Sequence, residues 1–204
     1  MPFMSPRKDV SEKRKTQILS AAEEVFNAKG LSNARMEDIA EKTGLSKGTL
    51  YLYFKSKDSL IIAIFDRIFG GLFNKEKMQA NEKFSAIESI HNFTDEAIKD
   101  YLRVLYMFPV AYEFLALAFR NGMVQKALKR YFNGYMDELV PLIQAGVDSG
   151  ELKQVDPVEV ALAAGAIMEG TILLWVYDKT RVDPEAHIRS GMKFLIEGIR
   201  TDKE

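Results

Sequence analysis

An all-α fold is predicted, with a three-helix helix-turn-helix unit at the N-terminus and a larger helical domain after it, about nine helices in all. Three observations carry this. Apolar residues recur at three- and four-residue spacing, and no run alternates as a strand would. Cap, proline and glycine signals punctuate the chain as helix starts and stops. Residues 36–54, MEDIAEKTGLSKGTLYLYF, read as two short helices on either side of a glycine turn.

The elements follow in order. Asp9-Val10-Ser11-Glu12 fits a capping signature for a first helix whose inner face is Ile18, Ala22, Val25 and Phe26, and Gly30 stops it. A short helix from about Met36 to Thr43 turns Met36, Ile39 and Ala40 inward, and Gly44 makes the turn. Ser46 caps the next, about Lys47 to Phe54. A helix beginning near Ser56 has the stripe Leu60, Ile61, Ile64, Phe65 and Ile68, and runs to Gly70-Gly71, which is either a hinge or the helix end. Ser85 and Glu88 form a capping box for a helix that reaches the Phe108-Pro109 boundary, because proline disfavours helical geometry before it. Ala111 to Phe119 is short and apolar; Val124 to Val147 is longer, with a kink expected at Pro141 and a stop at Gly150. Asp156-Pro157-Val158-Glu159 and Asp183-Pro184-Glu185 each place a cap before a proline at the first helical position, opening the last two helices.

The composition bounds the class. The chain has 204 residues, 47% of them hydrophobic, enough for a packed core. It has no cysteine, which excludes disulfides and thiolate metal sites and suits a cytoplasmic protein. No apolar signal core opens the sequence. The longest apolar stretch, 158–177, carries Glu159 and Glu169; a central carboxylate is costly in lipid, so a buried core helix is expected and no membrane partner. Net charge is −1, but residues 1–57 hold eleven Lys/Arg against seven Asp/Glu, a local basic excess that suits a polyanion. The expected domains are 1–55 and 56–204.

Residues 36–57 carry the functional signal. Two short helices joined by a tight turn need the first helix as backing, and that geometry presents the second to a DNA major groove. Lys47 and Thr49 fall on its exposed face, and Thr49 suits a base edge or thymine methyl. Gly48 permits close backbone approach, while Leu50 and Phe54 point to the core. Tyr51 and Tyr53 end in hydroxyls suited to phosphate oxygens, with packing as the other reading of Tyr51. Lys57 opens the following helix, where backbone amides also favour a phosphate. Lys55 reads as solvated charge; Arg7-Lys8 and Lys13-Arg14-Lys15 read as a solvated helix end, with an arm in the minor groove as the other reading.

The run ILSAAEEVFNAKGLSNARMEDIAEKTGLSKGTLYLYFKSKDSL, residues 18–60, resembles the DNA-binding domain of the TetR family of bacterial repressors, most specifically in GLSKGTLYLYF at 44–54. The resemblance implies a homodimer on a palindromic DNA operator, released by a small hydrophobic or amphipathic effector. It implies that Lys47, Gly48, Thr49 and Leu52 lie at the base edges and Tyr51, Tyr53 and Lys57 at the backbone, with Ser46 also in the DNA-binding set. Many members have Ser or Thr where this chain has Arg35; Arg35 then becomes a phosphate contact and Asn33 the candidate cap.

The remainder reads as an effector-binding and dimerisation domain. Met107, Phe108, Tyr112, Phe119, Met123, Met168 and Trp175 suit an adaptable apolar pocket. Glu169 has three open readings: a ligand anchor, a partner for a base such as Arg120, or a dimer bridge. Small residues allow close helix approach. The resemblance implies that the helices carrying Ala161, Ala164, Gly165 and Ala166, and Ile188, Gly191, Leu195, Gly198 and Ile199, form a four-helix bundle across a dimer twofold, with packing within one chain as the other reading. No catalytic constellation, metal cluster or cofactor loop stands out; His91 and His187 are lone histidines. A helical ligand-binding enzyme would leave residues 36–57 unexplained. A DNA-binding protein without an effector would differ only in the second domain.

Overall fold

The computed structural model describes residues 6–69, 84–107 and 111–201. Among them are nine helices: α1 Pro6–Asn33, α2 Met36–Thr43, α3 Lys47–Tyr53, α4 Lys57–Phe69, α5 Ala86–Met107, α6 Ala111–Ala118, α7 Gly122–Asp148, α8 Pro157–Tyr177 and α9 Pro184–Ile199. Gly70-Gly71 and Phe108 lie outside the described residues.

Most boundaries follow their chemistry. Ser85 and Glu88 form the reciprocal box, Glu88 Oε2 taking the Ser85 amide at 2.8 Å and Ser85 Oγ the Glu88 amide at 3.2 Å. Asp156 accepts from Val158 N, and Asp183 from Ala186 N, before their prolines. Two expectations fail. α1 already includes Pro6, so Asp9 lies inside the helix rather than capping it. Gly30 does not end it cleanly: with φ 76 and ψ 160 it breaks the helical path, and one more turn follows to Asn33. α7 runs through Pro141 as one helix.

The chain divides into two compact units, residues 1–71 with 105–130, and 72–104 with 131–204. In this division α4, α6 and the start of α7 group with the helix-turn-helix. In the first unit, Ile18, Ala22, Val25 and Phe26 of α1 are buried, as are Met36, Ile39 and Ala40 of α2, Leu50 and Phe54, and Leu60, Ile61, Ile64 and Phe65 of α4. Arg67 of α4 ion-pairs with Glu23 of α1. Asn121 donates to Asp58 at 2.6 Å and Arg130 to Asp66 at 3.0 Å, fastening the α6–α7 turn to α4. The Glu113 carboxylate of α6 accepts the amides of Leu31 at 2.7 Å and Ser32 at 3.3 Å, just past the Gly30 break.

The second unit has its own core, from Ile90, Phe93 and Ile98 of α5, Leu139, Ile143 and Val147 of α7, Val160, Ala161 and Ala164 of α8, and Ile188, Met192 and Ile196 of α9. A two-residue bridge pairs Leu152 with Arg200, tying the chain after α9 to the α7–α8 link. α8 is not buried all round. Leu162, Leu173, Leu174, Val176 and Tyr177 stand exposed on one side of it, and Phe194 of α9 is 70% exposed.

Candidate nucleic-acid interface

α3 is only seven residues long, too short to persist without anchorage. Leu50 supplies it, fully buried one turn before the buried C-cap Phe54. Ser46 Oγ accepts the Thr49 amide at 3.1 Å and lies 2.8 Å from the Thr49 hydroxyl, so the cap also orients that hydroxyl. Gly44 turns the chain at φ 66, the left-handed conformation that favours glycine. Gly48 has ample room: an added Cβ would meet only Ser46 Oγ, at 3.9 Å. Nothing within the chain demands glycine there. Leu52, one turn on, is 74% exposed. Tyr51 and Tyr53 are half-buried, compatible with packing and a protruding hydroxyl alike.

Three charged residues of the motif have internal partners or neighbours that the local sequence does not announce. Lys47 forms an ion pair with Glu37 of α2. That hydrogen bond holds the Glu37 carboxyl below its usual range and the Lys47 ammonium above its own. Arg35 is exposed at the start of α2, but Asn33 is not the cap: its amide donates to Lys29 O at 3.2 Å. Asp38 reaches back to take the Arg35 amide at 2.8 Å. The Asp38 carboxyl is lowered by its hydrogen bond from Lys29 and, next, by that amide.

Lys57 is the largest departure. Its ammonium donates to Leu31 O at 2.7 Å, Ala34 O at 3.1 Å and Ser32 O at 3.3 Å. An ammonium has three protons, so these three carbonyls at and just beyond the end of α1 engage all of them, at the residue expected to contact a phosphate. The sequence reading missed Glu37 and Glu113 as well. Glu37 lies beside the motif and its charge was legible. Glu113 is 82 residues from Leu31, and no local pattern announces it.

The expected pocket residues fall in both units. Phe119 is 91% exposed and Met123 is also exposed, both at the α6–α7 turn of the first unit. The side chains of Met107 and Tyr112 lie outside the description. Met168 packs against the second unit's core on α8, which also carries Glu169 and Trp175. Lys179 Nζ stands 4.4 Å from the Trp175 ring centroid. Burial pushes the Glu169 carboxyl up, partly offset by a hydrogen bond from Tyr101 of α5.

The expected dimer residues turn mostly inward. Ala161, Ala164 and Ile188 are fully buried within their own unit, and Leu195 packs on the same core. A Cβ at Gly191 would lie 2.7 Å from Ile167 Cγ2, so this glycine lets α9 meet α8 of the same chain. Gly165 faces Tyr135, whose hydroxyl donates to Ala161 O at 2.9 Å. Gly198 faces open space, and Ala166 is exposed.

A capped short helix held above a three-helix core, with an exposed outer face, defines a helix-turn-helix DNA-binding domain. Residues 18–64 match the family of bacterial regulatory proteins, tetR family, and residues 108–198 match the BetI-type transcriptional repressor C-terminal family. The fatty acid metabolism regulator protein of Bacillus subtilis is 30% identical over 90% of this chain and 94% of its own. The HTH-type regulator YfiR of the same organism is 28% identical over 98% and 100%. The solved structure of Bacillus subtilis FadR with stearoyl-CoA superposes at a TM-score of 0.70, with 24% identity over 91% of this chain and 99% of that one. The chain belongs to the TetR family of transcriptional regulators, whose matched members are regulators, not enzymes.

Proposed function

We propose that the chain is a repressor that binds an inverted-repeat operator as a homodimer and leaves it when an amphipathic effector binds. The observation that carries the DNA half is α3, whose cap fixes Thr49 while Gly48 and Leu52 stand open one turn apart. Lys47, Gly48, Thr49 and Leu52 are its base-reading residues, with Ser46 ordering them. Tyr51, Tyr53 and Arg35 are its phosphate contacts.

The dimer reading rests on the uncovered apolar stripe of α8. Leu162, Ala166, Leu173 and Tyr177 recur at helical spacing, with Phe194 exposed on α9. Exposed apolar surface of this kind marks an interaction face, and a second copy would supply a second reading head, one for each half of an inverted repeat. These residues replace Ala161, Ala164 and Ile188 as the interface. Half-sites about 34–36 Å apart would fit successive major grooves.

The effector reading draws on the Bacillus subtilis relative that regulates fatty acid metabolism. A long-chain acyl-CoA is therefore the first probe. Effector binding that favours misplaced reading heads lowers operator affinity by that differential. The test is selection of binding sequences from a random duplex pool, followed by titration of the selected duplex with stearoyl-CoA. Enrichment of one inverted repeat, released by the acyl-CoA, supports the reading. No enrichment overturns the DNA half; release by no acyl-CoA overturns the effector class alone.

A further inference from the structure

Glu37 places a carboxylate beside the reading helix, where negative charge is unfavourable near a phosphate backbone. Such a residue needs a reason. It lies in the first turn of α2 and ion-pairs with Lys47, the first residue of α3. Both side chains are more than half exposed, at 54% and 58%. The pair therefore does little for stability, and both groups stay charged at neutral pH because each holds the other in its ionised form.

The consequence for DNA follows from the two residues' chemistry. A free lysine is a flexible point charge that settles on the nearest phosphate, whatever the sequence. A lysine tethered by a carboxylate is restrained, and the carboxylate repels bare phosphate. Together they present an ammonium donor next to an anionic acceptor. In the major groove a G·C pair presents the complement: acceptors at guanine O6 and N7 beside the donor amino group at cytosine N4. An A·T pair also sets an acceptor beside its amino donor, but it offers only single acceptors, adenine N7 or thymine O4, where guanine offers O6 and N7 together, and it adds a thymine methyl.

We infer that Glu37 is a specificity-determining residue, which with Lys47 selects a G·C pair at one position of each operator half-site. This rests on the reading of α3 as the base-facing helix. The pair reads one position, while Thr49 and Leu52 read their own. Glu37 also weakens binding to unrelated DNA, since it keeps Lys47 from phosphates and adds repulsion.

The experiment is a set of parallel selections from a random duplex pool with wild type, Glu37→Gln, Lys47→Gln and the double variant. Duplexes differing only at the assigned position are then titrated. Wild type is expected to enrich an inverted repeat with one strict G·C position per half-site assigned to the pair. Glu37→Gln relaxes that position alone, losing about tenfold of the preference for G·C over A·T, and tightens binding to random-sequence duplex. Lys47→Gln relaxes the same position, and the double variant goes no further. A Glu37→Gln pool that keeps every wild-type position would overturn the inference, and so would equal weakening at all positions, which is the mark of a merely structural role. Wild type enriching nothing would instead bring down the base-facing reading beneath it.

Discussion

The Glu113 carboxylate on α6 accepts the Leu31 amide at 2.7 Å, joining a helix from the middle of the chain to the end of the helix that backs the DNA-reading pair. Lys57 closes on the same stretch from the other polarity, taking the Leu31 carbonyl at 2.7 Å. One carboxylate and one ammonium thus satisfy backbone groups that the Gly30 break leaves without helical partners. The α1–α2 connection is held by these side chains together with its own Ala34 N–Gly30 O hydrogen bond at 3.2 Å.

Glu113→Ala removes the acceptor from a part-buried amide. The expected loss is about 1–3 kcal/mol of unfolding free energy, read by urea titration, with weaker operator binding although no reading residue has changed. Unaltered stability would show that water replaces the carboxylate at no cost.

Lys57→Met should destabilise the first unit by a similar amount, about 1–3 kcal/mol. The slope of log affinity against log salt should stay as in wild type, because the ammonium is spent on carbonyls. A slope flatter by about one unit would restore Lys57 as a phosphate contact.

Leu173→Glu puts a charge on the exposed stripe of α8. Sedimentation equilibrium should show the dimer dissociation constant rising at least about tenfold, while the monomer's helix content is kept. Ala161→Leu is the contrast. It overpacks a fully buried site, and should cost about 1–3 kcal/mol of folding stability. A dimer unmoved by Leu173→Glu would shift the interface elsewhere.

Gly191→Ala sets a methyl 2.7 Å from Ile167 Cγ2. Helices α8 and α9 must part slightly, at an expected cost of about 1–3 kcal/mol. Trimming the neighbour with Ile167→Ala should recover part of that loss, a coupling that a double-mutant cycle reads directly.

Glu169 gives a pH dependence of definite sign. Burial raises its carboxyl in the folded chain, with the Tyr101 hydrogen bond opposing. The folded state then holds its proton to higher pH than the unfolded state. Stability linked to this group is present below the ordinary carboxylate range and is lost as pH rises through the raised value. The residue keeps substantial exposed surface, so solvent limits the effect. Unfolding midpoints across pH 4 to 7 should decline less for Glu169→Gln than for wild type; parallel profiles would remove Glu169 as the source.

The helices were legible because their signals are local. The Asp156 and Asp183 caps, the box of Ser85 and Glu88, and the Gly44 turn act within four residues and appear as expected. The inward residues of α1 to α4 were legible too, since helical spacing alone decides which side chains share a face. The failures share a cause. Spacing marked Ala161, Ala164 and Gly191 as points of close helix approach, and they are. Smallness cannot say whether the approaching helix belongs to the same chain.

The sequence by itself determined the helical elements among the described residues, the caps of α3, α5, α8 and α9, the three-helix reading unit and the family. These follow from short-range sterics, hydrogen bonding and apolar periodicity. Only the tertiary structure decided that Lys57 donates to the carbonyls at the α1 terminus, that Glu37 holds Lys47, that Glu113 reaches Leu31, and which face of α8 is left uncovered. Each depends on where a distant backbone amide, carbonyl or charge comes to lie. The chain's own order does not specify that until its helices have packed.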